Sequence, residues 1–196
     1  MFLLPYISIV FIGFISAIPG PPSSNEQLEL LIDQVYPEIS TYLSRNQVGE
    51  LFTQLGLVVR SAKTLEEIAR GMSKPILSTL TAEQKSEIWE SIQKAEKKFG
   101  GFQQLKVIFF HSMDAVQNFM GDAMDKDRAD VTLRAKGKSE EMKMSLIYET
   151  FRQYFNIEFG QKVMDTVKNS MTQEDWAISI EDAHKYMNID NFDMTY

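Results

Sequence analysis

The sequence predicts an all-α protein: a single-domain multi-helix bundle with room for an internal apolar cavity, preceded by a signal peptide. Three observations carry that expectation. Apolar residues recur at spacings of three and four through most of the chain, and no stretch alternates with period two for long enough to make a strand. Ser or Thr stands three residues ahead of Glu or Gln where several of these patterns begin, which is the signature of a capping box. The most apolar pattern, residues 100–121, is bounded by glycine at both ends and has no helix breaker between them.

In chain order, the first seventeen residues carry no charged side chain. That run is shorter than the roughly 20 residues a membrane-spanning helix needs. Ile15-Ser16-Ala17 offers a small residue at the cleavage position, and Ile18-Pro-Gly-Pro-Pro follows in extended form. The expected organisation is a signal peptide over 1–17, an extended linker over 18–24, an all-helical domain over 25–187 and a flexible tail over 188–196. A secreted protein follows. The chain has no cysteine, which excludes disulfides and thiol chemistry, so packing alone must hold the core. It also has no Asn-x-Ser/Thr sequon.

The first helix is expected from Ser24, capped with Gln27, carrying Leu28, Leu31, Ile32 and Val35 inward. Pro37 fits the first turn of a second, short helix reaching Leu43. Asn46 would cap the next segment, where Val48, Leu51, Phe52, Leu55, Val58 and Val59 share a face. Thr64 and Glu67 form a capping box for Leu65, Ile68, Ala69 and Met72, and Gly71 with Pro75 should end or kink that helix before Leu80. Thr81 and Gln84 open a helix from Ala82 to about Phe99, with Ile88, Trp89 and Ile92 on one side.

Gly100-Gly101 turns the chain into the central helix. There Phe102, Leu105, Ile108, Phe109, Met113, Val116, Phe119 and Met120 fall within an arc of roughly 140°. Val107 and Phe110 lie outside the arc, so apolar character spreads beyond one seam. His111 lies on the far side and Lys106 at the edge. Residues 122–138 read as a loop or a solvated helix. Ser139 caps a helix carrying Met144, Ile147, Tyr148, Phe151, Tyr154 and Phe155. Gly160 interrupts, Phe159, Val163, Met164 and Val167 continue, and Thr172 caps a last helix with Trp176, Ile180 and Tyr186.

The formal net charge of -7 argues against a nucleic-acid partner, which would need a basic stripe. His111 and His184 lack the neighbouring ligands of a zinc site. Asp125-x-Asp127-x-x-Asp130 resembles a calcium loop only until Lys136, which stands where the bidentate Glu belongs. No nucleophile elbow or phosphate-cradling glycine loop occurs. Glu66-Glu67 and Glu140-Glu141 sit in first helical turns, where the helix dipole accounts for them. No catalytic residue, metal or cofactor is therefore expected, and the chain is not read as an enzyme.

What needs an outlet is the supply of Phe, Tyr and Met in residues 99–120 and 142–164. Broad apolar faces meeting without a cofactor motif suit a helical carrier of small hydrophobic ligands. Phe102, Phe109, Met113, Phe119, Met120, Phe151 and Phe155 are the expected wall. Lys106 could meet a ligand carboxylate at the mouth, or run its stem along the core edge. The other reading is a protein–protein interaction module whose apolar faces fill one another, leaving a contiguous exposed patch and no ligand cavity.

Three stretches carry a family resemblance: Tyr36-Pro-Glu-Ile-Ser-Thr-Tyr-Leu-Ser44, Thr64-Leu-Glu-Glu-Ile68 and Leu80-Thr-Ala-Glu-Gln-Lys-Ser-Glu-Ile-Trp89. Their order resembles the nematode fatty-acid- and retinol-binding proteins. Leu80-Thr81-Ala82-Glu83 is similar to that family's repeated helix starts, and Ser139-Glu-Glu-Met-Lys143 looks like a later one. The resemblance spans about 36–167. It implies a flat helical fold around a cavity and fatty acid or retinoid as partner, with no binding residue carried over by position. A monomer with transient membrane contact is expected. The chain departs from the pattern in its greater share of Phe, Tyr and Met, its smaller share of Lys, Glu and Ala, and its longer charged stretch at 122–138.

Overall fold

The computed structural model describes residues 23–63 and 65–196, with the side chains of residues 65, 66 and 69 excluded. The expected signal peptide, linker residues 18–22 and the cap at Thr64 lie outside the described residues. Among the described residues the chain is helical and contains no strand. In order come α1 (Ser24–Ile39), α2 (Arg45–Ser61), α3 (Leu65–Thr79), α4 (Ala82–Lys98), α5 (Phe102–Arg134), α6 (Glu140–Arg152), α7 (Ile157–Asn169) and α8 (Gln173–Ile180), then a 3-10 turn at Ala183–Lys185.

Local chemistry sets most of these starts. The expected boxes and caps at Thr81, Ser139 and Thr172 are present, each hydroxyl accepting from the backbone N–H three residues on. Two starts are shifted. Ser23 caps α1 in a box with Glu26, one residue before the expected Ser24–Gln27 pair. Ser44 caps α2 with Gln47, ahead of Asn46. In both cases a Ser with the better-placed partner takes the cap, and the neighbouring candidate becomes part of the helix.

The expected breaks at Pro37, Gly121 and Gly160 do not occur, while the helix holding Gly71 and Pro75 ends before Leu80 as expected. Pro37 does not begin a second helix; it lies inside α1, whose last turn carries Glu38 and Ile39 into the core. Pro75 lies inside α3, which continues to Thr79. The carbonyl opposite its ring belongs to Gly71, four residues back, where clash with a proline ring is the usual obstacle. Gly71 also backs onto α2: a Cβ there would lie 2.6 Å from a Val58 methyl carbon. Gly160 is buried inside α7. The interruption falls at residues 153–156 instead, where Asn156 Oδ1 accepts from the Phe159 N–H at 2.7 Å and restarts the helix. Gly121 likewise lies inside α5, which runs on through the charged segment to Arg134.

The core is built from α1, α2 and α6, with α3 on the far side of α2 and α7 under α5. Leu31, Val35, Val48, Leu51 and Phe52 have no exposed surface. Phe52 meets Phe155 edge to face at 5.3 Å. Gly56 lets α2 approach α6: a Cβ would lie 2.4 Å from the Met144 methyl and 3.1 Å from the Tyr148 ring.

A polar seam ties α6 to α1. Gln34 Nε2 donates to the carbonyls of Arg152 (3.2 Å) and Phe155 (2.5 Å) past the end of α6, and Arg152 Nε donates back to Gln34 Oε1 at 3.3 Å. These bonds add partners to the carbonyls at and just past the end of the helix.

Residues 188–196 are expected to fray, but in the structure they cross the core as a strap. Ile189 and Phe192 are buried, and the Asn188 N–H donates to the Glu38 carbonyl at 2.7 Å. Asn191 Nδ2 donates to both Glu38 carboxylate oxygens, at 3.2 and 3.4 Å. Trp176 Nε1 donates to the Met194 carbonyl at 3.0 Å. Apolar side chains at 189, 192 and 194 alternate with polar ones, and that pattern is too short to be read as an element from sequence.

Candidate functional site

The hairpin of α4 and α5 differs from the rest of the molecule. Gly100 and Gly101 hold φ of +79° and +120°, a region that residues with a Cβ rarely enter. The Gly101 N–H donates to the Glu96 carbonyl at 2.8 Å and the Gly100 N–H to that of Lys97 at 3.4 Å, closing α4 in a Schellman turn. The Gly101 carbonyl then accepts from Leu105 at 3.1 Å and starts α5. None of the residues of α4 is buried, and Trp89 on it is 59% exposed.

In the first half of α5 the apolar residues divide between two sides. Leu105, Ile108, Phe109 and Ser112 are buried. On the outer side Phe102 is 46%, Val107 61% and Phe110 49% exposed. Lys106 Nζ stands 5.7 Å over the Phe110 ring, a cation–π contact that turns the ammonium along the helix surface. Phe110 also meets Phe109 edge to face at 5.4 Å, which anchors the exposed ring to the buried one. Neither Lys106 nor Asp114, one turn either side of Phe110, forms an ion pair with another described residue, and both are exposed.

The eight residues expected at a ligand site, seven in its wall and Lys106 at its mouth, are dispersed. Phe151 and Phe155 are buried beside Phe52 and Tyr148, with Phe151 and Phe155 centroids 6.3 Å apart. Phe109 is buried, while Met113 and Met120 are half-buried. Phe119 is 41% exposed and lies against Phe159 at 5.7 Å. Phe102 and Lys106 face outward. Val107 and Phe110 lie outside the expected arc, and their position on the wheel is the sequence signal that matches their exposure.

A cleft of about 60 Å³ lies between α4 and α8, lined by Ile92, Phe99, Ile178 and Tyr186, and none of the eight residues reaches it. Its polar rim is neutralised. Lys94 pairs with Asp182 at 3.2 Å and Glu181 at 3.3 Å, and Lys98 pairs with Glu181. Burial acts to raise the Asp182 carboxyl pKa, but hydrogen bonds from Lys185 and Lys94 outweigh it and leave the group below its ordinary value.

The acidic residues 125, 127 and 130 sit on continuous helix rather than a metal-binding loop. Asp127 accepts from the Tyr154 hydroxyl and from Gln153 Nε2, and so fastens α5 to the end of α6. Burial, followed by the bond to Asp127, raises the Tyr154 pKa. Among the described residues no three His, Cys, Asp or Glu side chains gather as metal ligands, and no helix is long and apolar enough to cross a membrane.

No curated protein matches the chain, and no solved structure does. One family model matches residues 6–182, and its description is "Uncharacterized protein B0228.1-like". That match overturns the resemblance to the nematode fatty-acid- and retinol-binding proteins. Leu80-Thr-Ala-Glu and Ser139-Glu-Glu-Met, which helped suggest it, are helix starts in which Thr or Ser caps a first turn with acid, a device any helical chain can use for its unpaired N–H groups. The match covers most of the sequence, and the chain belongs to the B0228.1-like family.

Proposed function

We propose that this chain is an exported helical interaction module that docks a protein on the outer face of the first half of α5. The observation that carries the reading is the exposure of Phe102, Val107 and Phe110 on one helix flank while the core is filled by other residues. Single exposed apolar residues are ordinary on a protein surface. Three large ones within nine positions of one helix, steadied by Lys106 and Phe109, form a patch that costs free energy until something covers it. Export rests on the uncharged run at 1–17 and the small residue before Ile18.

The carrier reading draws less support. Its wall residues are scattered between core and surface. The cleft beside α4 is far below the roughly 300–1,000 Å³ that ligand pockets occupy. Native mass spectrometry of the processed chain, purified from the cells that make it, tests the proposal. The expected result is an assembly that Phe110→Glu dissolves, with no lipid in an organic extract. A single chain carrying stoichiometric lipid would overturn it.

A further inference from the structure

The outer flank of α5 has a charge pattern that selects its own partner. Resting on the reading above, we propose that the protein seated on this face is a second copy of the chain, paired antiparallel about a two-fold axis at Phe110. In such a pair, a residue n positions before Phe110 lies level with the residue n positions after it on the other copy. Lys106 is therefore level with the partner subunit's Asp114, about 6 Å along the helix from the axis, and the pair occurs twice. Gln103 comes level with the partner subunit's Gln117, and Val107 with the partner subunit's Met113. All six positions lie within about 60° of the direction of Phe110 on the helix wheel, so they belong to one face.

Lys106 and Asp114 are the charges of that face, and neither is ion-paired with another described residue, Lys106 resting only against the Phe110 ring. A parallel pairing would set lysine on lysine and aspartate on aspartate, which costs free energy rather than supplying it. A lipid surface fits less well. The strip is neutral on balance and the chain carries a formal net charge of -7, so anionic headgroups gain nothing from it. In the self-pair the phenylalanines and Val107 supply the buried apolar area, and the two Lys–Asp contacts fix direction and register.

Sedimentation equilibrium on the processed full chain, across a wide concentration range, is the test. A reversible dimer is expected. Lys106→Glu and Asp114→Lys should each weaken it by about tenfold, in line with charge pairs at interfaces. The double variant K106E/D114K, which exchanges the charges while keeping them opposite, should return to within about threefold of the starting affinity. Thermal melts of the single variants should match the unaltered chain at concentrations too low for pairing, because both positions are exposed. A chain that stays single at several hundred micromolar overturns the self-pair, as does a double variant no tighter than either single change. If the chain is single in sedimentation but joined to a different protein in native mass spectrometry, the second copy is wrong while the docking face stands. Lipid bound to a single chain removes both.

Discussion

Helices α1 and α2 and the first half of α5 are all rich in large apolar residues and spend them differently. In α1 and α2, Leu31, Val35, Val48, Leu51 and Phe52 are wholly enclosed, and glycine at 56 brings α6 close enough to seal the seam. In α4 and the first half of α5, Trp89, Phe102, Val107 and Phe110 face outward. Amphipathic periodicity makes each of these segments a helix. Whether its apolar residues are covered depends on how closely its neighbours pack, and α1 lies against α2 and α6 along its length while α4 packs mainly against α5 and the start of the C-terminal segment at α8. Apolar surface in the first region stabilises the fold, and in the second it stays exposed.

The contrast is broken most severely by truncating one phenylalanine in each region. Phe52→Ala should cost about 3–5 kcal/mol in urea unfolding, the range for emptying a packed aromatic site. Phe110→Ala, measured dilute, should stay within about 0.5 kcal/mol, as exposed positions do. Equal losses at the two positions would mean that the α4–α5 hairpin is as enclosed as the core.

A smaller effect distinguishes how each region treats charge. The Glu38 carboxyl is enclosed by the strap, and burial raises its pKa, with the Asn191 hydrogen bond only partly opposing. A carboxyl raised on folding binds its proton more tightly in the folded chain. Stability is therefore greatest when the group is protonated, and falls as pH rises from the ordinary carboxylate range through the raised value. Glu38→Gln keeps an acceptor and a neutral side chain, so it should remove that part of the pH dependence and raise the melting temperature at neutral pH. Melting curves of both forms from about pH 4 to 8 read the difference. Parallel curves would show that the strap leaves Glu38 open to water.

The smallest effect lies in the solvated half of α5. A Cβ at Gly121 meets nothing within 4 Å, and the backbone there is helical. Gly121→Ala should stabilise by about 0.5–1 kcal/mol in urea unfolding through lower conformational freedom of the unfolded chain. A loss of stability would place an unseen neighbour against that flank.

Much of the fold was legible because its signals are local. Thr81, Ser139 and Thr172 cap where expected, since a hydroxyl needs only an N–H three residues away. The inward residues of α2, and Val163, Met164 and Val167 of α7, follow from spacing alone. Pro37, Gly121 and Gly160 were misleading as stops: a glycine costs a helix only about 1 kcal/mol, and at Pro37 burial of the same helix outweighs the proline. The candidate site was half legible. The wheel separated Val107 and Phe110 from the inner arc, but Phe102 and Phe119 fell inside it and emerged exposed.

By itself, the sequence determined that the chain is helical, where most helices begin, that no thiol or sequon chemistry is available, and which residues are apolar enough to need cover. Those properties depend on contacts within a few positions. Only the tertiary structure decided that Phe155 closes on Phe52, that residues 188–196 strap across Glu38, and that the outer flank of α5 is left bare. Each of these depends on segments up to about 150 positions apart, and periodicity within one helix holds no information about which other helix will arrive to cover it.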